Sequence, residues 1–436
     1  MKTEPLHGWG RYPRLHGTVH RARDLDDLRR LARSSPAGIG RGAGRSYGDA
    51  ALADRVVSAL PLRHLLDFDP EGGVLRAQAG VTLDEVIRFA LPRGWFPPVT
   101  PGTRHCTLGG CVAADVHGKN HHRVGAFGAF VDELEVVLAG GDVVRCSRTE
   151  SPDLFWSTLG GMGLTGLIHA VTLRLAPVRS AFIDNLGVRT GSLGETCRLL
   201  RETQDDHAYS VAWIDLLTSS VRRGRGHVLL GDHADGPGLA PLHRDPRWTL
   251  PALPANLIRR TGLRLLNSLY YRRQLRRRRR RRIHYGPYFH PLDGVAHWNR
   301  AFGPRGFLQF QFAIPFDGGE AVMAEVVERT GRAAPCSLAV LKTLGDHPGG
   351  PLGFPMPGYT LALDFPRTSR IEEALGAAAD DVASAGGRVY LAKDALLTPE
   401  QTEAMYPRLD EFRAARRRYD PEGRFRSALS DRTGLT

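Results

Sequence analysis

Two short glycine-rich segments constrain this chain more than any other feature. Gly40 to Asp49 reads GRGAGRSYGD, and Leu159 to Leu167 reads LGGMGLTGL. Glycine adopts positive φ without steric cost and lets a backbone approach its neighbour closely. In the first segment the glycines alternate with other residues, so the loop is rich in backbone N–H donors. It either wraps a phosphate or forms an ordinary tight turn. The second segment either lines a pyrophosphate or packs strands closely. Glycine supplies 50 of 436 residues, well above the usual ~7%. No G-x-G-x-x-G follows a strand, so a standard dinucleotide-binding fold has no support.

The length suits two or three domains, and a chain 42% hydrophobic and 24% charged is globular rather than disordered. No apolar run approaches ~18 residues. Met1 to Tyr12 has no apolar core of a secretory signal, so a cytoplasmic protein is expected. Five cysteines without a CxxC pair suggest a reduced chain. The net charge is +13, but residues 272–282 read RRQLRRRRRRR, and removing those nine arginines leaves +4. The basicity is local, so a nucleic-acid partner is not expected. The run reads as a mobile solvated loop or as a device that meets anionic lipid head groups, with Leu263 to Tyr271 as a dipping face. Lysine is scarce: Lys2, Lys119, Lys342 and Lys393 stand against 55 arginines. A compact ammonium and a planar guanidinium are not interchangeable, so the internal lysines hint at places where arginine would not serve.

The first 180 residues alternate short strands, helices and turns, an α+β pattern. Val56 to Leu60, Val74 to Gln78 and Leu167 to Leu175 are strand-like, and Thr82 with Glu85 forms a capping box opening a helix. Gly140-Gly141-Asp142 joins a hairpin. Composition shifts near Ala176. Phe307 to Ile314 reads FLQFQFAI, alternating around Gln309 and Gln311, and Thr360 to Phe365 is a further strand.

His117 to His122 reads HGKNHH. Zinc ligands come with more spaced partners, and no cysteine or acid pair completes a set here, so no metal is expected. A polar loop and a redox or substrate site remain. Lys119 lies in this segment, Lys393 follows a strand in YLAKD, and Lys342 is flanked by apolar residues. An ammonium beside a cofactor can stabilise a developing anion.

The ordered set GRGAGRSYGD, PGTRHCTLGG, DVHGKNHH, GGMGLTG, FHPLD, GFLQFQFAIP, FPMPGY, YLAKD and MYPRLDEF resembles the vanillyl-alcohol-oxidase superfamily of PCMH-type FAD proteins. Within it the chain resembles the branch that oxidises polyprenylphosphoryl pentoses, and the match runs nearly end to end. The resemblance implies an α+β fold of two domains. A discontinuous FAD domain would span 1–178 and 388–436, and an antiparallel-sheet substrate domain 179–387, with a mobile arginine-rich loop at about 272–284. It implies FAD-dependent oxidation of the ribose 2′-hydroxyl of a polyprenylphosphoryl sugar by hydride transfer to flavin N5, supplying cell-wall arabinan precursors. A short-chain reductase would complete the epimerisation. A soluble sugar, alditol or sugar-lactone oxidase is the alternative.

By position, the resemblance assigns cofactor contacts to Arg41, Gly42, Ala43, Gly44, Arg45, Ser46, Tyr47 and Gly48. Further contacts fall on Gly102, Thr103, Thr107, Gly109, Gly110, Ala114, His117, Gly118 and Asn120, and on Gly163, Thr165, Gly166, Ile168, Tyr390 and Lys393. Lys119, Trp213, Gln309, Gln311 and Lys342 match substrate-facing positions. Lys393 would offset negative charge on the reduced flavin, Lys119 and Gln311 would act at the substrate, and His117 or Tyr47 would accept the hydroxyl proton. Two departures are visible. Arg45 stands near where many members carry a flavin-linking histidine, which implies non-covalent FAD. Ala362 stands where close relatives carry a cysteine, which removes thiol chemistry there.

Overall fold

Period-two alternation is strongest in Phe307–Ile314, and in the computed structural model that segment lies inside an eight-stranded antiparallel sheet. The structure describes residues 3–34, 38–218, 223–236, 238–242, 246 and 248–436. Across the sheet the strands run Arg278–His284, Phe182–Thr190, Arg225–His233, Tyr209–Asp215, Leu338–Leu344, Gly358–Pro366, Phe307–Ile314 and Arg388–Val389. Successive side chains of a strand point to opposite faces. Phe310 and Phe312 therefore pack with Met323, Val326 and Leu375 of the helices Gly319–Ala333 and Ser369–Ser384. Gln309 and Gln311 turn the other way, into a cavity.

The N-terminal part supplies the opposite wall. A mixed four-stranded sheet runs Glu4–His7, Arg14–Arg21, Arg55–Ser58, Ile39–Arg41. An antiparallel five-stranded sheet runs Leu65–Asp69, Val74–Gln78, Leu167–Arg174, Val131–Val137, Val143–Ser147. The capping box forms as expected: Thr82 Oγ1 accepts from Glu85 N–H and the Glu85 carboxylate accepts from Thr82 N–H, opening the helix Leu83–Ala90.

The arginine run departs from the expected mobile loop. Arg278–His284 is an edge strand paired in register with Phe182–Thr190, from Arg278 opposite Val188 to His284 opposite Phe182. Mutual repulsion along the run is relieved because an extended strand holds successive side chains on opposite faces. Acids on neighbouring elements also take two of its members. Asp184 pairs with Arg282 at 2.8 Å, and Glu195 with Arg277 at 2.7 Å.

The C-terminal segment closes the molecule. After Val389 the chain leaves the sheet in a turn, with Lys393 N–H donating to Tyr390 C=O at 2.8 Å. Tyr47 N–H donates to Ala392 C=O at 3.0 Å, tying that turn to the glycine loop. A Cβ on Gly48 would stand 1.7 Å from the Asp394 carbonyl oxygen, so only glycine fits this approach. Arg432 then bridges both pieces, reaching the two Asp49 oxygens at 2.9 and 3.0 Å and Asp394 Oδ2 at 2.9 Å. Both carboxylates are buried. Arg432→Ala leaves them without a counter-charge and should cost about 3–5 kcal/mol, read as a lower urea midpoint. A loss within the about 0–1 kcal/mol of a surface pair would refute a structural clamp.

Candidate functional site

The loop after Arg41 has no regular partner strand, and its amides show it. Among the described residues, the N–H groups of Gly42, Ala43, Gly44, Arg45 and Ser46 donate to no protein acceptor. All five residues line the same cavity. Successive unpaired amides of this kind form an anion-binding concavity. A Cβ on Gly42 would fall 2.1 Å from Thr107 Oγ1, so the loop seats directly on the turn that opens the short helix Leu108–Ala113. Arg41 anchors the loop through His7 and Ala51 carbonyls at 2.8 and 3.0 Å. The Arg45 guanidinium lies 4.2 Å over the Trp9 ring, and its buried Nε lacks a partner.

The facing wall is the sheet. Residues directly opposite across antiparallel strands share a face. The register therefore aligns Gln311, Ala362, Val340 and Trp213 in one row, with Gln309, Asp364 and Leu338 beside it and Lys342 with Thr360 on the other side. The space enclosed is about 800 Å³, within the ordinary ~300–1,000 Å³ of ligand sites.

Polar groups converge where the two walls meet. His117 Nε2 lies 2.9 Å from Gln311 Nε2, and its Nδ1 lies 3.1 Å from Lys342 Nζ. Tyr390 stacks on Phe354, donates its hydroxyl to Ala114 C=O at 2.7 Å, and approaches the His117 ring. Lys393 Nζ stands 3.6 Å over the Tyr47 ring. Lys119 Nζ stands 5.9 Å from the Tyr288 ring centre. Gln309 Nε2 donates to Asp364 Oδ1 at 2.5 Å.

Burial shapes every charge here, because it disfavours the ionised form. Lys119 is brought down to about 8 by burial. Lys342 falls to about 7 by burial and then by Lys119 and Lys393. Lys393 falls to about 8 by burial, with Asp364 pulling the other way. Asp364 is pushed up to about 7 by burial, against the Gln309 hydrogen bond and Lys393. Burial and then Lys342 hold His117 well below the usual imidazole range. The imidazole is therefore neutral at physiological pH, and two complete hydrogen-bond patterns fit it. Either a neutral Lys342 accepts from Nδ1–H while Nε2 accepts from Gln311, or a charged Lys342 donates to Nδ1 while Nε2–H meets the Gln311 amide oxygen. The two patterns differ by one proton.

Most of the expected residues meet at this cavity. Arg41 to Tyr47, Gly102, Thr103, Thr107, Gly109, Gly110, Ala114, His117, Gly118 and Lys119 line it, as do Gly163, Gly166 and Ile168. Trp213, Gln309, Gln311, Lys342, Ala362, Tyr390 and Lys393 complete the opposite side. Three expected residues lie elsewhere. Gly48 packs on the Asp394 carbonyl. Thr165 is fully buried with its hydroxyl 2.9 Å from that of Thr158. Asn120 donates to Pro98 C=O at 2.8 Å as a loop brace. Asp364 was not anticipated, although it stands two residues beyond Ala362 on one strand face; period-two counting from Ala362 would have found it. Trp9, Tyr288 and Asp293 also reach the cavity; Trp9 stands between two glycines in HGWGR and Asp293 closes the FHPLD motif, signals to which no role was attached. Among the described residues no group of His, Cys, Asp and Glu could hold a metal ion.

Comparison with known proteins bears on this geometry. The family described as "FAD binding domain" matches residues 18–147, and that described as "D-arabinono-1,4-lactone oxidase" matches residues 364–433. The chain is 35% identical to the "Decaprenylphosphoryl-beta-D-ribose oxidase" of Mycolicibacterium smegmatis, over 99% of this chain and 98% of that one. It is also 35% identical to an "Uncharacterized protein in mprA 5'region" of Streptomyces coelicolor, over 81% of this chain and all of the relative. A shorter likeness, 30% identity over 27% of this chain and 23% of the relative, joins it to the human "Delta(24)-sterol reductase". A match at this identity over nearly the whole of both chains, together with the "FAD binding domain" match, places the chain in the family of FAD-dependent oxidoreductases that includes the M. smegmatis enzyme.

Proposed function

We propose that this oxidoreductase oxidises the 2′-hydroxyl of a polyprenylphosphoryl pentose, with decaprenylphosphoryl-β-D-ribose as the form its relative's name suggests. The observation that carries the reading is the meeting of Lys119, Lys342 and Lys393 with His117 and Gln311 in one cavity. Three lysines brought close repel one another, and an anionic substrate group relieves that repulsion. A phosphate does so; a neutral lactone does not. The C-terminal match favours the alternative of a soluble sugar-lactone oxidase, and the lysine trio weighs against it.

When bound, FAD supplies the acceptor for the hydride that leaves the carbinol carbon. The amides of Gly42 to Ser46 are suited to hold its pyrophosphate, and Arg45 adds positive charge at the same wall. Lys119 orients the sugar phosphate and Lys342 the sugar hydroxyls, with Gln309, Gln311 and Trp213 beside them. The hydroxyl proton passes to His117 Nε2, and the imidazole hands its Nδ1 proton to Lys342 Nζ, which stands 3.1 Å away and near 7 is poised to take it. Tyr47 is the less suited acceptor, since burial raises its phenol well above the usual range. Lys393 keeps a fixed positive charge beside Tyr47 for the anion that develops during reduction. The residues divide into an FAD domain of 1–178 with 388–436, and a substrate domain of 179–387. The reading further places the enzyme in the cytoplasm, peripheral to a membrane, working with a short-chain reductase that reduces the 2′-keto product. Among the described residues no helix is long and apolar enough to cross a membrane.

Non-covalent FAD follows from Arg45. Acid denaturation should release yellow flavin into the supernatant, and flavin precipitating with the protein would refute it. The central test is anaerobic bleaching of the purified holoenzyme by a short-chain polyprenylphosphoryl ribose. Bleaching by arabinono-lactone but not by the phosphosugar would favour the alternative. Lys393→Met should keep FAD and reduce the reductive rate by ~10²–10³. The Lys393 cation is present below its value of about 8 and lost above it, so the wild-type rate should fall as pH rises through about 8. Lys393→Arg stays charged and should lack that falling limb, though its planar fork fits the site less well. An unchanged pH profile in that variant would assign the limb to another group.

A further inference from the structure

The helix Arg260–Arg272 is turned inside out. Its polar stripe faces the protein. Arg264 Nε donates to Leu217 C=O at 2.9 Å, Asn267 Nδ2 to Asp215 Oδ1 at 2.9 Å, and Tyr271 Oη to Thr190 C=O at 3.1 Å. Ser268 Oγ accepts from Arg225 at 3.1 Å, and Arg225 itself pairs with the buried Asp215. Positions 264, 267, 268 and 271 follow the spacing of one helix face. Leu263 is buried beside that stripe, and the other leucines lie on the opposite side. Leu265, Leu266 and Leu269 are 64%, 61% and 59% exposed, and Leu275 just beyond the helix is 79% exposed. A surface helix in water normally buries its apolar stripe and exposes its polar one. Contiguous exposed apolar surface marks an interaction site.

Two further observations say what covers this face. It is continuous with the cavity, since Leu266, Asn267 and Tyr270 line the cavity wall beside Trp213. It is also framed by positive charge that has no acidic partner among the described residues. Arg272, Arg273 and Arg276 are exposed where the helix ends, and the edge strand brings Arg278, Arg279 and Arg280 to the surface. An apolar helix face rimmed by arginine is the pattern of a helix lying in the head-group region of an anionic bilayer.

We propose that the leucine face of Arg260–Arg272, with the arginines beside it, seats this enzyme on an anionic lipid bilayer and opens its cavity toward the acyl phase. The inference rests on the reading of a polyprenyl-linked substrate, and it supplies that substrate's route. The sugar phosphate reaches the lysines while the isoprenoid tail leaves along Tyr270 and Leu266 into the membrane, so the lipid need not be extracted into water. The inward hydrogen bonds hold the helix rigidly in this orientation, which lowers the ordering cost of docking.

The test uses FAD-loaded full-length enzyme and vesicles of 30% phosphatidylglycerol in phosphatidylcholine, against vesicles of phosphatidylcholine alone. Wild type should sediment with the anionic vesicles and much less with the neutral ones, and high salt should weaken the binding because exposed charges are screened over ~8 Å at physiological ionic strength. The triple variant Leu265→Gln, Leu269→Gln, Leu275→Gln avoids the cavity-lining residues and should bind vesicles at least about tenfold more weakly. Its flavin should still be bleached at the wild-type rate by a water-soluble phosphosugar analogue. Arg276→Gln with Arg280→Gln should lose the preference for anionic vesicles while retaining the fold by circular dichroism. Wild type that ignores both vesicle types overturns the proposal. So does a triple variant that converts a wild-type dimer to monomer in sedimentation velocity without changing vesicle binding, since the face is then a contact between copies. If vesicle binding behaves as expected but no phosphosugar bleaches the flavin, docking stands and the substrate reading fails.

Discussion

The bridge from Arg432 to Asp49 and Asp394 holds together the two pieces of chain on which the site depends. Asp49 ends the glycine loop, and Asp394 follows Lys393, so one guanidinium sets the distance between a wall of free amides and a fixed ammonium. Gly48 against the Asp394 carbonyl and Tyr47 N–H to Ala392 C=O are the backbone counterparts of the same closure.

Electrostatically the cavity is a region of withheld charge. Lys119, Lys342 and Lys393 are each brought down by burial, and Asp364 is pushed up by the same cause. Near neutral pH these groups therefore sit close to their own transitions, where a bound anion or a departing hydride shifts their protonation most easily. The shared proton between His117 and Lys342 is the local expression of that balance. Groups so arranged are unfavourable for folding, and they persist because the surrounding sheet register and the C-terminal bridge over-determine their positions.

The outer end of the cavity obeys a different rule. There the helix Arg260–Arg272 turns its leucines outward because its inward positions are committed to hydrogen bonds with Leu217, Asp215 and Thr190. The polar cluster around His117 and the exposed leucine face thus occupy separate surfaces, joined through Tyr270 and Trp213.

Local sequence determined the local elements. The alternation of Phe307 to Ile314, the Thr82–Glu85 capping box and the Gly42 to Gly44 loop are each consequences of neighbours a few residues apart, and all appear as expected. The three internal lysines were legible as unusual, and all three line one cavity. Tertiary structure alone decided the rest. That Gln309 meets Asp364 follows from the register between Phe307–Ile314 and Gly358–Pro366, which joins residues 55 apart. Arg278 to Arg282 of the arginine run lie in an edge strand, not a loop, because Phe182–Thr190 offers them a backbone partner about a hundred residues away. Thr165 and Asn120 sit inside matching motifs yet serve packing, since their hydrogen-bond partners, Thr158 and Pro98, lie off the cavity. Propensity and motif act over a few residues; pairing, burial and charge act between segments far apart in the chain, and those interactions placed the chemistry.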